Sequence, residues 1–298
     1  MSHKYTLRGI AWMCFASLLF AVMAAAAKYC GNRLPASEII LVRSIAGSAV
    51  IAFLIARTGA PWLGKHPGIL ASRGLIGFTA LSLYFWTVSR IDLGTAVMLN
   101  YTSPIFALFW ARYLGGEHPG KASRAAVLFA FAGVYLLSMP HFDAQIPALA
   151  AGLLSGLLAG SVHVLIRRSH EKESALTIIF YFTVICTVGS FILLRGPSGW
   201  VQPTPKEWLA LAVVTVTSLL GQFGLTYSLK YAPVPIVTPF GYLTPVLGAI
   251  LGWIFWGAPL NALSILGGAL VITGGVVIYR SLKTPPLAKS LKVPDVSA

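Results

Sequence analysis

The stretch Ala96–Trp110 reads AVMLNYTSPIFALFW, and 141 residues later Val237–Leu251 reads VTPFGYLTPVLGAIL. Each is an apolar run with a tyrosine, a hydroxyl residue and a proline near its middle. Proline at position i removes the hydrogen bond to the carbonyl of i−4 and crowds it, so Pro104 would free the carbonyl of Asn100 and Pro245 that of Gly241. A helix breaker placed twice in one register points to a duplicated structural device.

The surrounding sequence makes both runs membrane spans. Of 298 residues, 57% are apolar and 10% charged, with a mean hydropathy of +0.79, which is not a soluble composition. A hydrocarbon core about 30 Å thick takes about 20 apolar residues per helix. Ten such runs lie near residues 9–27, 37–56, 69–88, 95–113, 122–139, 147–166, 175–194, 208–228, 234–256 and 261–279. Runs such as VLFAFAGVYLL are apolar on every side, whereas barrel strands alternate over about 10 residues. The predicted fold is an all-α integral membrane protein with ten transmembrane helices. The first run is longer than the apolar core of about 7 to 15 residues in a signal peptide, and it is read as a retained span.

At the 141-residue offset Tyr101 pairs with Tyr242, Ser103 with Thr244, Pro104 with Pro245, Gly116 with Gly257 and Gly133 with Gly274. This predicts two five-helix repeats, 1–141 and 142–280, divided about His141–Ile146, and a basic tail, 281–298, expected to be disordered. Five is odd, so the second repeat enters the membrane inverted. Inverted-topology repeats are a mark of secondary transporters whose site lies between the halves near the midplane.

Charge orients the bundle. Sixteen Lys and Arg fall at the termini and even-numbered connections: Lys4, Arg8, Arg57, Lys65, Arg73, Arg112, Lys121, Arg124, Arg167, Arg168, Lys172, Lys230, Arg280, Lys283, Lys289 and Lys292. Five fall on the other side (Lys28, Arg33, Arg90, Arg195, Lys206), and Arg43 sits inside a span. By the positive-inside rule both termini are cytoplasmic, and the net charge of +14 needs no nucleic-acid partner. Cys14, Cys30 and Cys186 are too scattered for a disulfide framework or a metal site, and no cofactor is called for. No acidic residue falls at the centre of a span, so no carboxylate proton relay is visible.

The candidate site residues follow from polarity within the spans. Asn100, Tyr101 and Tyr242 accompany the freed carbonyls, with Pro104 and Pro245 as hinges. The alternative is a pair of kinks re-satisfied locally by Thr102, Ser103 and Thr244. Tyr84, Phe85 and Trp86, with Tyr101 and Gln222, would make an apolar, hydrogen-bonding pocket for a medium-sized organic solute. His163 follows Gly152, Gly156 and Gly160 on one helix face; it serves either an interhelical hydrogen bond or a substrate contact that could titrate. Arg43 is a structural or coupling charge.

The passage AKYCGNRLPASEIILVRSIAG, with Lys28, Pro35 and Arg43, and the run TSPIFALFWARYLGGEHPGKASRAAVLFAFAGVYLL, with Gly116, Glu117 and Gly133, resemble the drug/metabolite transporter superfamily, specifically its EamA-type ten-helix members. The second repeat keeps Pro245, Gly257 and Gly274 but has Ala258 where the family often has an acidic residue. The resemblance implies a bacterial inner-membrane exporter of small metabolites working by alternating access, with a cavity bordered by spans 1, 3, 4, 6, 8 and 9. Within the family the chain looks most like amino-acid exporters, including aromatic ones. Its partners would be a small-molecule substrate and the lipid bilayer, and a monomer suffices. The rival within transport is a carrier of phosphorylated solutes such as nucleotide sugars, which would need several cationic side chains at the cavity where the sequence embeds only Arg43. An intramembrane enzyme is disfavoured, since no span clusters acid, His or nucleophile residues.

Overall fold

The computed structural model describes residues 3–88, 90–91, 93–138, 146–170, 172–194, 199–257 and 260–283. The expected repeat boundary, most of the basic tail, Arg195 and Ala258 lie outside them. Every apolar run forms helix: α1 (His3–Gly31), α2 (Ala36–Thr58), α3 (Pro67–Val88), α4 (Leu93–Asn100), α5 (Ser103–Tyr113), α6 (Lys121–Ser138), α7 (Ile146–Ser169), α8 (Ala175–Leu193), α9 (Pro205–Tyr231), α10 (Val234–Val237), α11 (Leu243–Trp256) and α12 (Ala262–Lys283). Lipid offers backbone groups no partner, so helices that close their own hydrogen bonds are the available solution for such runs. Nine helical stretches among the described residues are long and apolar enough to cross a membrane. The tenth apolar run, the fourth span, is divided between α4 and α5, each too short alone.

Packing follows a pseudo-twofold. α1 lies along α9, and its equivalent α7 lies along α3; α2 packs on α8 and α6 on α12, each pair relating a span to its own counterpart. Small residues permit these approaches. A Cβ on Gly274 would meet the Ala126 carbonyl at 2.7 Å, and one on Gly224 the Trp12 carbonyl at 3.1 Å. Ser228 Oγ donates to the Gly9 carbonyl at 2.7 Å, joining the start of α1 to the end of α9. Ser281 of α12 shares a cavity wall with Glu117, Lys121 and Pro233, so the chain begins and finishes at one end of the bundle, here called the terminal end.

The buried core divides into several clusters. Met13, Ala16, Leu70, Ala107, Ala111, Val164, Leu225, Leu229 and Val234 belong to one apolar cluster spanning both repeats. Beside it, Leu108, Val127, Val134, Tyr242 and Val271 join α5, α6, the ninth span and α12, and Ile51, Ile55 and Ile179 join α2 and α8 at the terminal end. Toward the opposite end Cys30, Leu34, Ile39, Leu211 and Val214 join α1, α2 and α9.

Candidate functional site

Each proline break sits at a helix start. Pro104 is the second residue of α5, and Pro245 the third of α11. A missing N–H there removes no intrahelical bond, so the chain restarts a helix instead of bending one. The sequence expectation of a proline hinge within a continuous span gives way to a break. In the fourth span it covers Tyr101 and Thr102, tightened by Thr102 N–H donating to the Leu99 carbonyl at 3.2 Å. In the ninth it widens to α10 plus a 3-10 segment, Thr238–Tyr242, because Pro235 and Pro239 each require another restart.

Both breaks rest on a serine of the first helix of a repeat. Ser155 of α7 accepts from Asn100 Nδ2 at 3.1 Å. Ser17 of α1, 138 residues earlier, donates to the Phe240 carbonyl at 3.1 Å, and its own carbonyl accepts from Thr244 Oγ1 at 3.3 Å. The exposed backbone of the first break lies on glycine: a Cβ on Gly156 would meet the Leu99 carbonyl at 2.7 Å and the Asn100 carbonyl at 3.2 Å. That glycine face belongs to α7, so the Asn100 carbonyl faces a neighbouring helix backbone.

The tyrosines gather on the α6–α12 side. Tyr101 and Tyr242 place their rings 6.2 Å apart at 38°, and the Tyr101 and Thr244 hydroxyls share a hydrogen bond. Tyr242 is 0% exposed and its hydroxyl is unpaired. Tyr84 is half-buried, its ring 5.8 Å from Phe85. Trp86 is 40% exposed toward the opposite end, with the Arg90 guanidinium 5.0 Å over its ring, an interface position. The expected cluster is thus divided: Tyr84, Tyr101 and Tyr242 lie inward, Trp86 at the rim.

Gln222 belongs to another group, on the α2–α8 side. Its Oε1 accepts from Arg73 Nη2 at 2.9 Å, and the Arg73 guanidinium lies 4.1 Å over the Phe182 ring. Arg73 is 1% exposed, which corrects its assignment to a connecting loop and leaves 15 basic residues on the terminal side where 16 were counted. Arg43, also within its span, reaches Met23 Sδ at 4.0 Å and lies near the Cys186 sulfur. With Ser44, Gly47, Phe182, Thr183, Ser218 and Gln222 it lines a cavity of about 10 Å³, room for about one water. His163 Nδ1 lies 3.0 Å from the Ala159 carbonyl. Since a carbonyl only accepts, Nδ1 carries the proton and a neutral ring keeps Nε2 as acceptor.

Polar latches hold the ends. At the terminal end Glu117 accepts from Arg167 Nε at 3.1 Å and from the Val234 N–H at 2.8 Å, while Arg167 Nη1 donates to the Leu229 and Lys230 carbonyls at 2.9 Å each. Gly116, at φ +66°, makes the left-handed turn that delivers Glu117, and Gly257, at φ +63°, repeats that turn in the second repeat. There the latch differs: Lys28 Nζ stands 4.8 Å over the Trp256 ring, and Ala258 holds the sequence position equivalent to Glu117. Beside the terminal latch, burial and then the positive charge of Lys230 push His170 down to about 4.

A model of the EamA-like transporter family matches residues 7–139 and again 146–280. The chain belongs to the EamA-like transporter family, within the drug/metabolite transporter superfamily. It is 31% identical over 277 residues to the pseudopaline exporter CntI of Pseudomonas aeruginosa, covering 92% of this chain and 97% of the relative. It is 23% identical over 284 residues to an S-adenosylmethionine uptake transporter of Rickettsia prowazekii, covering 94% and 95%. A riboflavin transporter of Rhizobium johnstonii is 26% identical over 226 residues, or 76% of this chain and 72% of that one. A solved crystal structure superimposes with a TM-score of 0.79 over 95% of this chain and 99% of that one at 20% identity, a likeness of fold alone. These relatives carry small metabolites, and family and relatives alike mark the chain as a multi-pass membrane transporter.

Sequence reasoning missed Arg73, Ser17 and Ser155. Arg73 lies inside the apolar run beginning near residue 69, six residues past Pro67, a favoured first helical residue. Ser17 and Ser155 are offset by 138 rather than 141 residues, and single serines in apolar runs carry no signal until a partner is known.

Proposed function

We propose that this transporter exports amino acids or amino-acid-derived metabolites from the cytoplasm by alternating access, with both termini cytoplasmic in a bacterial inner membrane. The observation that carries the reading is the duplication: one family model fits residues 7–139 and again 146–280, and the spans of the two halves pack as counterparts about a pseudo-twofold. In an inverted repeat the two halves can exchange conformations, so that access moves from one side of the membrane to the other. The charge distribution supports a cytoplasmic position for the terminal end. Export, rather than uptake, is supported by the 31% identity to an exporter against 23% to an uptake protein.

The proposed substrate path between the repeats runs between Tyr84, Tyr101 and Tyr242 on one side and Gln222 with its arginine on the other, with His163 and Asn100 on adjoining spans and Pro104 and Pro245 at the helix restarts. Arg43 is there as a coupling charge or as part of the binding wall. The repeats divide between about 141 and 146, with the basic tail on the cytoplasmic face. The test is counterflow in proteoliposomes with a panel of neutral, aromatic and acidic amino acids. Saturable efflux of at least one is expected, and no saturable flux for any of them would overturn the amino-acid assignment.

A further inference from the structure

We propose that the space between α2, α3, α8 and α9 contains an oxyanion subsite built on Arg73 and Arg43, which binds the carboxylate, or a phosphate, of the transported molecule. It rests on the export reading and names the cargo's chemical class. Arg73 is 1% exposed and uses Nη2 on Gln222, yet its Nε and Nη1 hydrogens have no acceptor. Phe182 covers the guanidinium face at 4.1 Å, so the unused donors point from the edges of a plane held in place by stacking. Arg43 lines the small cavity whose walls include both Arg73 partners, Gln222 and Phe182. The Cys186 thiol, 0% exposed, interacts with both guanidinium groups.

No carboxylate answers these charges among the described residues. Glu38 accepts from Val201 N–H, Glu117 from Arg167, Glu173 from Lys65 and His66 N–H, and Glu207 from Arg33, all at the ends of the bundle. A guanidinium buried with two unused donors in a low-dielectric interior is strongly unfavourable unless a counter-charge arrives. An amide carbonyl and a thiol supply dipoles only. A cargo oxyanion supplies the missing charge and leaves with the transport cycle, which is what a carrier requires and a permanent Glu or Asp would prevent. The cavity has room for about one water, so the oxyanion enters as α2, α3, α8 and α9 part. The Tyr101–Tyr242 wall then receives the organic body. His163, influenced by Arg73, lies nearby on α7.

The experiment is thermal unfolding of the purified protein with benzoate, phenyl phosphate and benzamide at constant ionic strength, since a ligand of the folded state raises apparent stability. Saturable stabilisation by benzoate or phenyl phosphate and none by benzamide is expected, with affinity weakened at least tenfold in Arg73→Gln and less in Arg73→Lys. Stronger binding of phenyl phosphate than benzoate supports the subsite and assigns it to phosphate; the reverse assigns it to carboxylate. Equal stabilisation by benzamide, no stabilisation by either anion, or unchanged affinity in Arg73→Gln overturns the proposal. Should Arg73→Gln not fold, the comparison of benzoate with benzamide on the unmodified protein still decides. Flux in proteoliposomes separates the two readings. Anion binding without flux removes the export reading alone, whereas saturable amino-acid flux with the same KM in Arg73→Gln removes the subsite alone.

Discussion

Replacing Glu117 by Gln should unlatch the terminal end. The carboxylate accepts one charge-assisted bond from Arg167 and one from the Val234 N–H, and Arg167 and Glu117 are only 22% and 19% exposed. Gln keeps the shape and can still accept one of the two bonds, so the loss is one bond plus the charge, about 2 kcal/mol for a partly buried pair. If these bonds exist only when the terminal end is closed, the ratio of terminal-closed to terminal-open molecules falls about 30-fold. Spin labels at exposed Lys121 and Lys230, in a background with Cys14, Cys30 and Cys186 replaced by Ser, would report the change as a longer distance population by pulsed electron resonance. Superimposable distance distributions in the parent and in Glu117→Gln would refute the latch and, with it, the argument that this conformation is held shut by a charge pair.

Other outcomes follow from the same geometry. Ala258→Glu would put an acid at the sequence position equivalent to Glu117 and should favour closure of the far end, shifting the same label distances in the sense that Glu117→Gln does; no shift would show that an acid at this position forms no latch. Gly156→Ala forces a methyl against the Leu99 carbonyl and should lower the unfolding temperature by several degrees. Gly248→Ala, with nothing within 4 Å of its Cβ, should be neutral or slightly stabilising; equal losses at both glycines would sink the close-packing argument. His170 has its folded-state value pushed down to about 4 from an ordinary value of about 6.5. Its stabilising contribution is therefore complete above about pH 6.5 and is lost as pH falls toward 4, where the unfolded chain takes up the proton first. His170→Gln should flatten the unfolding temperature over that window, and an unchanged slope would assign the acid sensitivity elsewhere.

The fold was readable because lipid imposes so few alternatives. Ten apolar runs, the register shared by Pro104 and Pro245, and the glycine pair Gly116 and Gly257 specify a duplicated helical bundle with prolines in its fourth and ninth spans, where the structure shows breaks in place of the expected hinges. What periodicity cannot supply is the partner across the bundle. Arg73 looked like a loop charge until Gln222, 149 residues away, and Phe182 enclosed it. Tyr84 and Trp86 are two residues apart and read alike in sequence, yet helical rotation and depth send one inward and the other to the rim.

Glu38 and Glu173 carry a consequence for how the molecule is made. Glu38, at the start of α2, accepts the Val201 N–H ahead of α9, while Glu173, just before α8, accepts the Lys65 and His66 N–H groups ahead of α3. Each repeat therefore holds a carboxylate whose acceptor role is completed only by the other repeat. As the chain leaves the ribosome, Glu38 must wait through some 160 residues of synthesis, on the order of 10 to 30 s at ordinary elongation rates, for its donor to arrive. Biogenesis thus leaves the first half with an unmet carboxylate at its rim, a natural foothold for an insertion chaperone. The same stitching lets two separately synthesised halves recognise each other, so a gene cut near residue 141 should still yield an assembled transporter when both pieces are made together.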